Sequence, residues 1–365
     1  MFKNIEISNF RGIKNLLIDD FSRVNIFVGP NNSGKTTILE ALFLTVGMSN
    51  PQLALNVNSF RELLHSENND FRFNFRGLDY NNKITLKSFI EKDGRRSLDI
   101  TPIYSKGIIR KVSDREAPTT NVPTGITDTS MVSDSSTNFE AIGLNFDFKK
   151  SQKKYHSEIT LEKNQISLFI DQKYKESLNA RFFTANAMYS SLPDRIDMIQ
   201  RDKKKAPLIE ALKKIDPKII DIALSKTRIV YVDIGIDQMI PINLMGYGFS
   251  KVCALIANLL VTKDGYIYID EIENGLHHET LAILWDAIIA AAAKYNVQIF
   301  LSTHSYEAIK TLLSVVTTND YNKEDIRLFL TQKMRDNSHK CYKYDFENLK
   351  ANINSEIEIR GKLIG

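Results

Sequence analysis

An α/β fold, with a mixed β-sheet core, a β-rich N-terminal lobe and a small helical lobe, is predicted by three observations. A short apolar strand, Val24-Asn25-Ile26-Phe27-Val28, runs into the glycine loop G-P-N-N-S-G-K-T from Gly29 to Thr36, and then into Thr37 to Leu44, whose apolar residues fall at helical spacing. Far downstream, Tyr266-Ile267-Tyr268-Ile269 is a second β-rich run ending on two adjacent carboxylates, Asp270 and Glu271. A helical stretch from about Glu279 to Lys294 and a third apolar strand, Val297 to Leu301, follow, the strand tipped by Ser302-Thr303-His304-Ser305. Strand, helix, strand is a βαβ unit, whose polar tips gather at the carboxyl edge of a parallel sheet, where ligands bind.

Taken in order, the chain opens on an alternating strand from Met1 to Glu6, with no signal peptide ahead of it. The glycine loop has the composition of a triphosphate cradle. Gly29 and Gly34 let the backbone approach closely, and Pro30, Asn31, Asn32 and Ser33 complete the concave turn whose N–H groups face phosphate. Lys35 then reaches the β- and γ-phosphates, the Thr36 hydroxyl ligates Mg²⁺, and Thr37 is placed to assist at the α-phosphate. The expected ligands are therefore ATP and Mg²⁺.

Because 235 positions separate Lys35 from Asp270, the intervening chain must supply a lobe. Lys83 to Glu91 and Ser97 to Tyr104 alternate like a hairpin around Asp93-Gly94, and Gly143 to Phe148, Ser157 to Leu161 and Gln165 to Ile170 add strands. Ser113 to Asn138, rich in Ser, Thr, Asp and Pro, is expected to be an exposed mobile loop. From Ser190 to about Ala223 the pattern turns helical, Ala206 to Ile215 being amphipathic and Pro217 breaking it. Arg201-Asp202-Lys203-Lys204-Lys205 is the densest basic patch; it suits either a solvated face or phosphate contacts, and no aromatic residue interleaves with it to stack bases.

A second glycine turn, Asn243 to Lys251, precedes the apolar helix Val252 to Val261. Gly246 and Gly248 serve either a tight turn or a second phosphate cradle, and one triphosphate rarely needs two cradles from one chain. A second cradle is explained if it caps the γ-phosphate bound to another copy, in a dimer with ATP at its interface. At the strand tip, Asp270 is placed to hold the Mg²⁺ shell opposite Thr36, and Glu271 to polarise the attacking water. His304 is either a helix-start histidine or a γ-phosphate contact.

The 365 residues, 43% hydrophobic, suffice for one large core or two modest ones, and 48 basic against 44 acidic residues make a mild basic excess that permits nucleic-acid contact without demanding it. Cys253 and Cys341 lack metal-type spacing and read as free thiols in a reducing cytosol. No apolar run approaches the ~18 residues of a membrane span, Leu281 to Ala293 being interrupted by Asp286, so a cytoplasmic protein is expected.

Together, Ile7-Ser8-Asn9-Phe10-Arg11-Gly12, the Gly29–Thr36 loop (Walker A), the glycine signature, Asp270 to His278 (Walker B and D-loop) and Ser302 to Ser305 resemble the P-loop NTPase heads of ABC-type ATPases in the RecF, SMC and OLD group. The run I-D-E-I-E-N-G-L-H-H looks most like the OLD-type branch grouped with AAA-family ATPases. The resemblance implies that ATP closes two heads, that Gly246 and Gly248 act in trans, that Asn274 to His277 cross the interface, and that Arg11 lies near the nucleotide. It also implies residues 1–175 as an N-terminal ATPase lobe, 176–250 as a helical lobe leading to the signature, and 251–365 as the C-terminal core. The signature departs from transporter ATPases, reading L-M-G-Y-G-F where they carry L-S-G-G-Q, and His277 stands where their D-loop has an aspartate. The Q-loop is expected near Asn56 to Arg61.

OLD nucleases continue into a Toprim domain; here about fifty residues follow Leu313, among them strand-like Ile326 to Leu330 and Ser355 to Arg360, and no nuclease site is visible. The expected function is a dimerising ATPase switch, a homodimer or higher homo-oligomer, that controls a separate Toprim or HNH-type nuclease in bacterial anti-phage defence. The alternative is a RecF/SMC-like DNA-binding ATPase of repair or maintenance. A transporter subunit fits poorly, and no membrane partner is expected.

Overall fold

The computed structural model describes residues 1–63, 71–104, 141–162, 165–184 and 191–354. Its centre is a six-stranded sheet ordered β16-β15-β3-β14-β13-β9, built from β3 (Val24–Val28), β9 (Ala180–Phe183), β13 (Tyr266–Ile269), β14 (Gln298–Thr303), β15 (Ile326–Lys333) and β16 (His339–Tyr344). All neighbours pair in parallel except β16, which returns antiparallel along β15. The three central strands are buried at every position, which is why they read as unbroken apolar runs rather than as alternation.

The two faces of this sheet carry different side chains. Ile26, Val28, Ile267, Ile269, Ile299 and Leu301 face one core, packed by α5 (Tyr247–Val261), α6 (His278–Lys294) and α7 (Tyr306–Thr318). Phe27, Tyr266, Tyr268, Phe300 and Phe329 face the other, where Tyr268 stacks on Phe300 at 5.5 Å. Between that aromatic face and a second sheet lies α1 (Lys35–Val46), apolar on nearly every side because it is enclosed on nearly every side.

The second sheet is seven-stranded and wholly antiparallel, ordered β2-β1-β4-β5-β6-β7-β8: β1 (Phe2–Phe10), β2 (Ile13–Asp19), β4 (Ile84–Ile90), β5 (Gly94–Tyr104), β6 (Ala141–Lys150), β7 (Lys153–Glu162) and β8 (Gln165–Ile170). Its hairpins follow the alternation in the sequence. Arg96 of β5, fully buried, fastens this sheet to α1: its guanidinium donates to Thr45 O at 3.1 Å and Val46 O at 2.9 Å, the last carbonyls of the helix, and pairs with Asp93 and Glu176. Gln298 ties the two sheets at their other end, accepting from Phe2 N at 2.6 Å and donating to Phe2 O at 3.0 Å.

The remaining described elements correct two readings. The helical pattern expected to about Ala223 resolves into α3 (Leu192–Arg201) and α4 (Lys205–Lys213), after which Asp216-Pro217 stops the helix. From Asp221 the chain is extended: β10 (Asp221–Leu224), β11 (Val230–Asp233) and β12 (Ile240–Pro241) form a three-stranded sheet, the alternation in V-Y-V-D being the signal. The lobe is thus helical and stranded, and β9 joins the central sheet instead. The signature helix starts at Tyr247 rather than Val252, so Gly248 lies in its first turn and Gly246 is its N-cap. The expected loop Ser113 to Asn138 and strand Ser355 to Arg360 lie outside the described residues. The short α2 (Leu53–Ser59) and α8 (Phe346–Asn354) are the remaining α-helices among the described residues.

Candidate functional site

The glycine loop joins β3 to α1 in a backbone that demands glycine at its two ends. Gly29 has φ 147° and Gly34 φ 97°, and a Cβ at Gly29 would stand 2.3 Å from Thr331 O. Asn32 takes φ 65° in the exposed crown. From below, β15 supports the loop: Thr331 Oγ1 donates to Val28 O at 3.0 Å and meets Ser33 Oγ at 2.7 Å. Lys35 Nζ bonds Gly29 O at 2.8 Å and Pro30 O at 2.9 Å, which places its charge inside the curve. Burial lowers its pKa from the ordinary lysine value, opposed by Asp270, Glu271 and Glu273.

Across the sheet edge, Asp270 meets Thr36. The Thr36 hydroxyl lies 2.9 and 3.1 Å from the two Asp270 oxygens, and Ser302 Oγ at the tip of β14 donates to Asp270 at 2.5 Å. A hydroxyl, a carboxylate and a second hydroxyl are an all-oxygen donor set, the chemistry a hard cation such as Mg²⁺ requires, so these residues fit that ion. Ser302 also accepts from Glu271 N at 2.9 Å, which fixes the backbone of the neighbouring carboxylate. Glu271 stands at φ 51°, left-handed and costly for a side chain of this size. The sequence reading singled out neither Ser302 nor this strain.

His304 follows β14 and stays outside α7, whose N-cap is Ser305. Glu273 Oε1 accepts from His304 N at 2.9 Å and pairs with His304 Nδ1 at 3.0 Å, holding the half-exposed ring. The ring lines an open cleft of about 660 Å³ with Gly29, Pro30 and Asn31 of the loop and Glu273 and His277 beyond it. Of the residues expected around the phosphates, Lys35, Thr36, Asp270, Glu271 and His304 therefore converge on one edge of one sheet.

Gly246 and Gly248 do not line that cleft. Leu244, 74% exposed, and Tyr247 present the signature turn to solvent. The turn packs instead on its own D-loop: Gly275 adopts φ 73°, and a Cβ there would strike the Tyr247 ring at 2.3 Å. Lys251, one turn into α5, is 1% exposed and donates to Asn274 O at 2.7 Å, Ile272 O at 3.1 Å and Glu271 O at 3.3 Å. Burial depresses its pKa to about 8, against the pull of Glu273 and Glu271. This clamp between signature helix and carboxylate strand was missed in the sequence, where a lysine beside an apolar run reads as a surface residue.

Arg11 sits behind α1. It pairs with the fully buried Glu40 at 2.8 Å and donates to Val57 O at 3.0 Å, while Arg61, in the expected Q-loop segment, donates to Glu40 and to Thr37 Oγ1 at 3.2 Å. Arg11 thus reaches the loop helix through Glu40 and Arg61. The basic patch is largely neutralised, with Arg201 paired to Asp197, Lys204 to Asp202 and Lys205 to Asp221. Cys253 and Cys341 are free, and among the described residues no helix is long and apolar enough to cross a membrane.

Residues 24–310 match the profile of a family described as "AAA domain, putative AbiEii toxin, Type IV TA system". A Helicobacter pylori protein named ATP/GTP phosphatase is 28% identical over 352 residues, 88% of this chain and 90% of its own length. The DNA replication and repair protein RecF of Clostridium acetobutylicum is 34% identical over 109 residues, which is 29% of this chain and 28% of RecF. Among solved structures, an SMC head bound to the C-winged helix domain of ScpA covers 96% of this chain and 99% of its own at TM-score 0.50 and 11% identity, a likeness of fold.

Proposed function

Since the chain belongs to this AAA-domain family and is an ABC-type ATPase of the RecF- and SMC-like group, we propose that it works as an ATP-closed dimeric switch whose output is a separate effector, a nuclease, in anti-phage defence. The observation that carries the reading is Lys251: it bonds the helix behind Gly246 and Gly248 to the carbonyls that follow Asp270, so the surface meant for a partner's nucleotide is tied to this chain's own hydrolytic edge.

In this reading Lys35 and the loop N–H groups bind the phosphates, and Thr36 and Asp270 would hold Mg²⁺, which would offset the phosphate charge. Glu271, fixed by Ser302, orients and polarises the attacking water. His304, held by Glu273, faces the terminal phosphate from the adjoining strand. Gly246 and Gly248 of a second copy cap that phosphate, and loss of it releases the cap. Met245 offers no hydroxyl, so the cap relies on backbone N–H groups.

The RecF relatives support the alternative of a DNA clamp, but the ion-paired patch at Arg201 to Lys205 leaves little free charge there for phosphates. The test uses Glu271→Gln with ATP and Mg²⁺, read by mass photometry, ATP turnover and co-purification from the host. A dimer that persists with ATP, turnover reduced at least a hundredfold, and a nuclease recovered with it are expected. Wild-type turnover would remove Glu271 from the mechanism, and recovery of DNA without a protein partner would favour the clamp.

A further inference from the structure

The hydrolytic groups all stand on one side of the loop strand. In the sheet order, Asp270 follows β13, two strands from β3 through β14, whereas β16 lies two strands from β3 in the other direction. In this reading a triphosphate whose terminal phosphate meets Lys35 on the side of Asp270 points its nucleoside the other way, toward β16 and past Gly34 at the start of α1. The first residue of β16, His339, stands there.

His339 is 7% exposed and wedged between two glycines. Its Cδ2 lies 3.2 Å and its Nε2 3.6 Å from the place a Cβ would take at Gly34, and its Cε1 lies 3.8 Å from that place at Gly12, in the turn between β1 and β2. A side chain at Gly34 would crowd the ring. Its Nδ1 is buried with no hydrogen-bond partner among the described residues, an expensive condition for a polar atom unless something else supplies one. Burial, with the charges of Lys333 and Arg76, lowers the pKa of the ring, so at neutral pH it is uncharged and has one donor and one acceptor to offer.

We propose that His339 contacts the nucleoside of the bound triphosphate and helps to set which base is accepted. The proposal rests on the ATPase reading and names a residue for the half of the substrate that the hydrolytic groups do not touch. Nothing in the sequence pointed to it, because His339 lies more than 300 residues from Gly34 along the chain.

The experiment measures binding of ATP, GTP and inorganic tripolyphosphate to the wild type, His339→Ala, His339→Asn and Lys35→Ala. For His339→Ala, ATP affinity is expected to fall about tenfold, the worth of one lost hydrogen bond to the nucleoside, while tripolyphosphate affinity stays within twofold. The ATP-to-GTP ratio should shift in both His339 variants, with Asn recovering part of the affinity. Equal losses for ATP and tripolyphosphate, including those of a variant that fails to fold, would reduce His339 to a support for the loop and overturn the proposal, as would unchanged ATP affinity. If the wild type binds no nucleotide, the ATPase reading falls and this inference falls with it; wild-type binding lost only in Lys35→Ala overturns this inference alone.

Discussion

Replacing Lys251 by methionine tests the link between the signature helix and the hydrolytic edge. The stem of the side chain is kept and the ammonium is removed. Three carbonyls, of Glu271, Ile272 and Asn274, then lose their donor in a site where the lysine is 1% exposed. Each buried carbonyl left without a partner costs about 2 kcal/mol. Against this, the variant no longer buries a charge. A pKa depressed from 10.5 to about 8 puts that recovered cost near 3 kcal/mol. The difference leaves Lys251→Met about 3 kcal/mol less stable, a drop in Tm of roughly 5 °C or more. The larger effect is expected on turnover. In the proposed mechanism Glu271 polarises the water; its backbone N is held by Ser302 and its O by Lys251, and a slip of about 1 Å in a reacting group costs on the order of a hundredfold. The assay pairs scanning calorimetry with steady-state ATP hydrolysis, with Lys251→Arg as the charge-conserving control, expected to keep part of the rate. A Lys251→Met protein melting within 1 °C of wild type and hydrolysing ATP within twofold of it would show that the clamp transmits nothing.

The same lysine predicts a pH dependence. Between about pH 8 and 10.5 the folded chain has lost the Lys251 proton while the unfolded chain still holds it, so wild-type stability relative to Lys251→Met rises with pH across that window, by up to about 3 kcal/mol. Urea unfolding of both proteins at pH 7.5, 8.5 and 9.5 checks this, and a flat difference contradicts it. Glu40→Ala leaves Arg11, at 8% exposure, without its buried counter-charge, and about 3–5 kcal/mol of stability should be lost. Denaturant midpoints measure it, and Glu40→Gln, which still accepts hydrogen bonds, should lose less.

The local signals were strong where one short segment carries all of its own constraint. The Gly29–Thr36 loop needs its glycines for the positive φ at Gly29 and Gly34, a local requirement, and the buried strands around Ile26, Ile267 and Ile299 must be apolar on both faces to lie in a covered parallel sheet. The β4–β5 hairpin and the strands from β6 to β8 were equally legible, because alternation in one strand needs no knowledge of its partner. The failures share a cause. Asp221 to Leu224 extends only because β11 pairs with it, and the signature helix begins at Tyr247, after Gly246 as its N-cap, where Tyr247 packs on Gly275 of the D-loop, rather than because local propensity changes there. Lys251 and Arg96 look like surface residues until carbonyls from distant segments close around them.

The sequence alone determined a glycine loop between a strand and a helix, a carboxylate pair at a strand tip and a polar tip on the next strand, since each is a contiguous pattern of residue type and spacing. Tertiary structure alone decided which side chains complete them. Ser302 fixes Glu271, Glu273 orients His304, Lys251 joins the signature to the D-loop, and His339 meets Gly34. The physical reason is sheet order. Parallel strands far apart in the chain are set side by side with their ends in line, and hydrogen bonds only a few ångströms long then join residues that no sequence window contains.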